Sequence, residues 1–316
     1  MQHTWRPVRT LLWIAFAGLL TCLAAVWFAV QQPWLGLVLA ADEEPGLRVV
    51  QSSPQGPGRP LAQARRLLQL SAPDGSAPLD LQAIDKTGDP DELLDYAQVA
   101  QFTARQSQMM ALLRQPVVQL TWLDAMGQEH RTQVSPAQRP LTDLPFLFWF
   151  EMACALGGLL ISAWVFALRA EDRSARFFAL TGLCMFVAIL VQSLYQNREL
   201  AIAAMARLDA LNHFSVFAFG CALVNLFLCY PHRRVPTRYL VLPWALTLPW
   251  WLLDAWQLWP DQNWGVNMPL VLYLLVATVL AVQRWRQSRQ QPLERAALRW
   301  FLLSFLLACW LFVFTT

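Results

Sequence analysis

From Leu144 to its last residue the chain is a succession of apolar blocks, each about as long as a helix needs to cross a lipid bilayer. Spanning ~30 Å of hydrocarbon takes about 20 helical residues at a rise of ~1.5 Å each. Six blocks fall in that range, at 144–168, 176–195, 211–230, 239–256, 267–283 and 298–316, and another stands near the N-terminus at 11–30. Residues 31–143 between them are polar and mixed in character. The expected architecture is a membrane α-helical bundle of about seven transmembrane helices with a small extracytoplasmic α/β domain. Its parts are an N-terminal anchor at 1–30, the domain at 31–143 and a six-span bundle at 144–316.

Composition points the same way. Only 14% of the 316 residues are charged, against about 25% in ordinary soluble domains. The net charge of +3 is carried by arginines clustered in particular loops, so it indicates no nucleic-acid partner. All six cysteines lie inside apolar blocks. A disulfide framework for the polar domain is thereby excluded, the spacings match no metal motif, and the cysteines read as small buried hydrophobes.

Loop charges set the expected orientation. Arg6 and Arg9 precede the first block, which places the N-terminus in the cytoplasm. Arg169, Arg173 and Arg176, then Arg233, Arg234 and Arg238, then Arg284, Arg286, Arg289, Arg295 and Arg299 mark successive inside loops. The outside loop QLWPDQNWG carries no basic residue. Residues 31–143 are then periplasmic in a bacterial inner membrane protein. Seven crossings leave Thr316 outside immediately after the last apolar residues, so the sequence reads as part of a longer protein. Trp250, Trp251, Trp256, Trp259 and Trp264 gather where an aromatic belt belongs.

Within the polar domain, 33–40 and 47–51 read as strands, 52–60 as a turn-rich loop, and 79–84 as a half-buried strand. Val99, Phe102, Met109, Leu112 and Leu113 recur at helical spacing across 94–114. Residues 117–124 and 129–134 flank Gly127 as a hairpin. This order, with Leu35-Gly36-Leu37 ahead of a strand, resembles a PDZ-like domain. In that family a hydrophobic-Gly-hydrophobic loop offers backbone N–H groups to a carboxylate, and a peptide adds as an extra strand. The other reading is that Gly36 simply starts a strand after the anchor.

Polar groups inside the blocks are candidates for signal contact, because an intramembrane carboxylate is costly unless it faces a partner, the bundle interior or water. These are Glu151, Asn212, His213 and Asp254, with Gln192 and Tyr195 at a similar expected height. The plainer alternative is interhelical hydrogen bonding, which also suits Asn225.

Three stretches, RAEDRSARFFALTGL at 169–183, RLDALNHFSVFAFGCALVNLFLCYPHRRVP at 207–236 and QPLERAALRWFLLSF at 291–305, resemble the membrane input region of bacterial sensor histidine kinases with a PDZ-like periplasmic domain. The resemblance implies a homodimer, a peptide or small-molecule signal, and a cognate response regulator as partner beside the lipid bilayer. It also implies ATP as cofactor only in a kinase core. None of His3, His130, His213 and His232 is followed by such a core, so no catalytic residue is assigned within this chain. A stand-alone membrane scaffold or a transporter-like protein is the alternative. Intramembrane protease motifs such as HExxH, GxSG and paired aspartates are missing from the sequence.

Overall fold

In a computed structural model, residues 5–93, 95–230 and 235–287 are described. Helix α1 covers Trp5–Val30. Short strands follow at Pro33–Trp34 (β1), Leu37–Ala40 (β2), Leu47–Ser52 (β3), Arg66–Ser71 (β4) and Leu79–Asp80 (β5). Helix α2 spans Tyr96–Leu113, with Asp95 capping it by accepting from the Ala97 amide. Strands Val118–Leu123 (β6), Glu129–Val134 (β7) and Ala137–Gln138 (β8) precede four further helices. These are α3 at Phe146–Leu168, α4 at Arg173–Gln196, α5 at Met205–Cys229 and α6 at Leu242–Ala255. Helix α7, Met268–Gln287, grows out of a π-helical turn at Asn263–Asn267.

Two compact units share the chain. One comprises Leu20–Ala153 and Leu190–Asp209; the other comprises Met1–Leu19, Cys154–Ile189 and Ala210–Thr316.

The first unit is built on an antiparallel sheet of order β2-β3-β4-β6-β7, with β5 pairing to β4. Leu67 on β4 stands opposite Leu47 on β3 and Trp122 on β6. One-sided burial follows from period-2 alternation: on β7 Val134 is buried opposite Val118 and Thr132 is half-buried opposite Leu120, whereas the intervening Arg131 and Gln133 are exposed. The core draws Leu47, Leu67, Leu70 and Leu120 from the sheet and Met109, Leu112 and Leu113 from α2. It also takes Leu200 and Ala201, which arrive from the segment joining α4 to α5. Arg66 is 3% exposed and clamps the β2–β3 turn, donating to Asp42 Oδ1 at 2.5 Å and to the Glu44 carbonyl at 2.7 Å. The expected strand at 79–84 is shorter than its alternation suggests: only Leu79–Asp80 pairs, and Ala83–Lys86 turns into a 3-10 helix whose Asp85 receives Arg105. The expected strand at 33–40 is split by a turn at Leu35-Gly36, where Gly36 has φ of 82°.

In the second unit α6 packs antiparallel along α5. His213 meets Asp254 at 3.0 Å, Cys221 meets Thr247 at 2.8 Å, and Asn225 donates to the Leu240 carbonyl at 2.9 Å. Helix α7 runs parallel to α5: the Tyr273 ring lies on Gly220, and Arg284 near its C-terminal end donates to the Phe227 and Leu228 carbonyls. Arg284 thus sits where the negative end of the α5 dipole favours a cation. Gly182 of α4 lets Ser162 of α3 approach to where a β-carbon would stand, the small-residue contact that membrane helices use in place of a hydrophobic drive.

Among the described residues, five helices are long and apolar enough to cross a membrane: Pro7–Val30, Phe146–Leu168, Arg173–Gln196, Met205–Cys229 and Asn263–Gln287. They mark the chain as membrane-associated. The block expected at 239–256 is shorter. Pro243 sits in the first turn of α6 and Pro249 inside it, leaving a 14-residue α-helix behind a 3-10 segment at Thr237–Val241. The block expected at 298–316 lies outside the described residues. Cys22, Cys184, Cys221 and Cys229 are buried as expected, but Cys154 is exposed on α3.

Leu67 is fully buried at the centre of the sheet. Leu67→Ala should cost about 3 kcal/mol, the usual transfer-plus-cavity penalty. The measurement is denaturant unfolding followed by hydrogen exchange at the amides of β4 and β6, whose Leu67 and Trp122 stand opposite each other.

Candidate functional site

The turn at Leu35-Gly36-Leu37 is held from behind. Gly58 N–H donates to the Leu35 carbonyl at 2.6 Å and Ser53 N–H to the Gly36 carbonyl at 2.7 Å. A β-carbon on Gly36 would stand 2.9 Å from Gly56 Cα, so both its positive φ and its packing demand glycine. With the carbonyls tied back, the amides of Leu35 and Leu37 point the other way, and both find one carboxylate. Leu35 N–H donates to Glu199 Oε2 at 2.7 Å and Leu37 N–H to Glu199 Oε1 at 2.5 Å. One donor per oxygen is the geometry of an anion nest made from backbone.

Glu199 belongs to the short connection between α4 and α5, and nearly every residue of that connection is gripped. Arg139 donates to the Asn197 carbonyl at 2.7 Å. Lys86 Nζ donates to the carbonyls of Arg198 and Glu199, both at 3.1 Å. Gln106 of α2 donates to the Leu200 carbonyl at 3.1 Å, and Ala203 N–H donates to Gln32 at 2.9 Å. The Arg198 guanidinium is buried over the Phe102 ring and donates to the carbonyls of Thr87 and Gly88. Asp89 collects Gln192, Tyr195 and Gln196 from the last turn of α4. The side chains of Leu200 and Ala201 are 1% and 3% exposed.

The electrostatics are those of charges taken out of water. Burial pushes Glu199 up to about 7 from its ordinary 4.5, more than the two amides and Arg139 pull it down, and Asp143 adds to the rise. Burial, then the neighbouring Arg198, pushes Lys86 down to about 8 from 10.5. Burial also lowers Arg198 to about 10.

The residues expected to contact a signal are divided between the two units. Glu151 pairs with Asn197 Nδ2 at 3.1 Å in the sheet unit. Asn212, His213 and Asp254 belong to the helix unit, where His213 and Asp254 face each other and Asn212 donates to the Ala188 carbonyl at 3.1 Å. The Leu35-Gly36-Leu37 turn does hold a carboxylate, from within the chain. Sequence reasoning missed Glu199, Leu200, Lys86 and Gln106. The only local signal was a charged pair, Arg198-Glu199, set against the apolar LAI of a short loop.

No protein-family profile, curated protein or solved structure matches the chain.

The pH response of this clasp has a definite sign. With Glu199 raised to about 7, the closed clasp takes up a proton below about pH 7. The freed side chain does so only below 4.5. Closure therefore loses stability as pH rises from about 4.5 to 7. Lys86 acts in the mirror sense: the closed state releases its proton above about 8 and the free state above 10.5, so closure regains stability across that interval. Hydrogen-exchange protection of the Leu35 and Leu37 amides, corrected for intrinsic rates, should be lower at pH 7.5 than at pH 5.

Proposed function

We propose that this chain is the membrane-embedded input module of a two-component sensor histidine kinase. It detects a signal outside the membrane and passes it to a cytoplasmic kinase core. In this reading the bundle has about seven spans in a bacterial inner membrane, residues 31–143 lie on the periplasmic side, and the sheet unit is PDZ-like. The unit's amide turn serves as the signal-responsive contact, and the module works as a homodimer whose core phosphorylates a response regulator.

The observation that carries the proposal is the grip of the Leu35-Gly36-Leu37 turn on Glu199. The gripped segment is continuous in the chain with α4 on one side and α5 on the other. Whatever changes the occupancy of the turn changes a restraint on the ends of two helices long and apolar enough to cross a membrane. That is the requirement for an input element: two arrangements whose balance an external ligand shifts by its differential affinity. An extramembrane domain that merely recruited partners would have no need to hold this connection.

The test uses the product of the complete reading frame in lipid nanodiscs, with transfer of the ATP γ-phosphate to protein as readout. Leu200→Asp, which puts a charge where Leu200 is 1% exposed, should change the autophosphorylation rate at least fivefold relative to wild type. A complete product that takes up no phosphate, or a rate that Leu200→Asp leaves unchanged, overturns the proposal.

A further inference from the structure

The amide turn is a binding site already filled by its own chain. Glu199 supplies the carboxylate, one oxygen to each N–H, and the adjacent Leu200 supplies an apolar side chain buried in the same core that takes Leu35, Leu37 and Leu39. A carboxylate next to a buried leucine is also what the last residue of a peptide ending in leucine presents. Beside the filled turn lies a groove of about 330 Å³, bordered by Gly36 to Leu39, Ser53, Lys86, Arg139 and Glu199. Strand β2 is the edge of its sheet, so one side of its backbone faces away from β3. Val38, midway along it, is 53% exposed. An extended chain can hydrogen-bond to such an edge.

We propose that Glu199 and Leu200 are a resident ligand that keeps this site shut, and that an extended peptide with a free C-terminal carboxylate and an apolar last residue binds only by displacing them. The proposal rests on the reading of the turn as the signal-responsive contact and adds its regulation. Displacement exchanges one carboxylate for another at the same two amides, so the electrostatic cost of burying the anion is common to both states. What differs is covalent attachment. The resident carboxylate is tethered by a few residues and competes at the high effective concentration of an intramolecular ligand. Release frees 197–203, the segment that Lys86, Gln106, Arg139 and Gln32 otherwise hold. Lys86 is placed to remain at the site, since it donates to main-chain carbonyls that an incoming strand also carries.

The experiment uses the full chain in nanodiscs at pH 8 and the free-acid pentapeptide Gln-Asn-Arg-Gln-Leu, residues 196–200 with glutamine in place of the glutamate so that its C-terminus is its one carboxylate, alongside its C-terminal amide. Hydrogen exchange is read at the Leu35 and Leu37 amides, with the β6 ladder amides of Val118 to Leu123 as the control for folding. Glu199→Ala should speed exchange at Leu35 and Leu37 at least tenfold and leave β6 unchanged. The free-acid peptide should restore protection in Glu199→Ala and in the double variant Glu199→Ala/Leu200→Ala at concentrations at least tenfold below those needed in wild type. The amide form should fail in all three. Equal peptide affinity for wild type and variants, equal action of the amide form, or no protection in either variant overturns the proposal. None of these outcomes touches the phosphotransfer readout of the signalling proposal, so failure of one is distinguishable from failure of the other.

Discussion

Two backbone amides turned toward one carboxylate decide how the connection between α4 and α5 is held. The turn at Leu35-Gly36-Leu37 can aim both N–H groups outward only because its carbonyls are tied back to Ser53 and Gly58 and because Gly36 accepts a positive φ. An anion placed there satisfies two donors that would otherwise be buried without partners, a loss of about 1–3 kcal/mol each. Glu199 fills that role, and its neighbours Leu200 and Ala201 then have no place to go but into the core of the same unit. Desolvation works against the arrangement, which is why Glu199 titrates near 7.

The surrounding polar groups are arranged to offset that cost. Lys86, Arg139, Gln106 and Gln32 bond the main chain of the gripped segment, leaving few of its carbonyls to be desolvated without a partner. Arg198 is buried, and its two terminal nitrogens donate to the carbonyls of Thr87, Gly88 and Tyr195 while the guanidinium lies over the face of Phe102. The carbonyls of Thr87 and Gly88 lie, with Asp89, in the short link between the 3-10 turns at Ala83–Lys86 and Pro90–Glu92. A segment that is half irregular in the sequence is thus the receptor for another irregular segment about a hundred residues away.

The helix unit follows a different logic. Its contacts are small-residue approaches, such as Gly182 on Ser162 and Gly220 beneath Tyr273, and polar contacts along the α5–α6 seam. The pairs His213–Asp254, Cys221–Thr247 and Asn225–Leu240 fix the antiparallel register of α6, whose prolines shorten it. Lipid tails compete well for apolar side chains, so directional polar contacts and close backbone packing carry the specificity here.

Five of the seven blocks of membrane-spanning length, the helix at 96–113 and the β6–β7 hairpin were legible in the sequence, because period and length are local properties that hydrophobic burial imposes on any chain. The Leu35-Gly36-Leu37 turn was legible as a motif, though not its occupant. Glu151, Asn212, His213 and Asp254 stand out in the sequence as polar residues within apolar blocks, but the partners each takes were not readable there. Nor was Glu199, an ordinary acidic residue in a short loop whose partners lie more than 160 positions earlier. A backbone N–H carries no sequence identity, and any residue but proline supplies one. Only the fold decides which amides are left facing outward and which carboxylate is brought to them, so the sequence determined the elements and the tertiary structure alone determined the clasp.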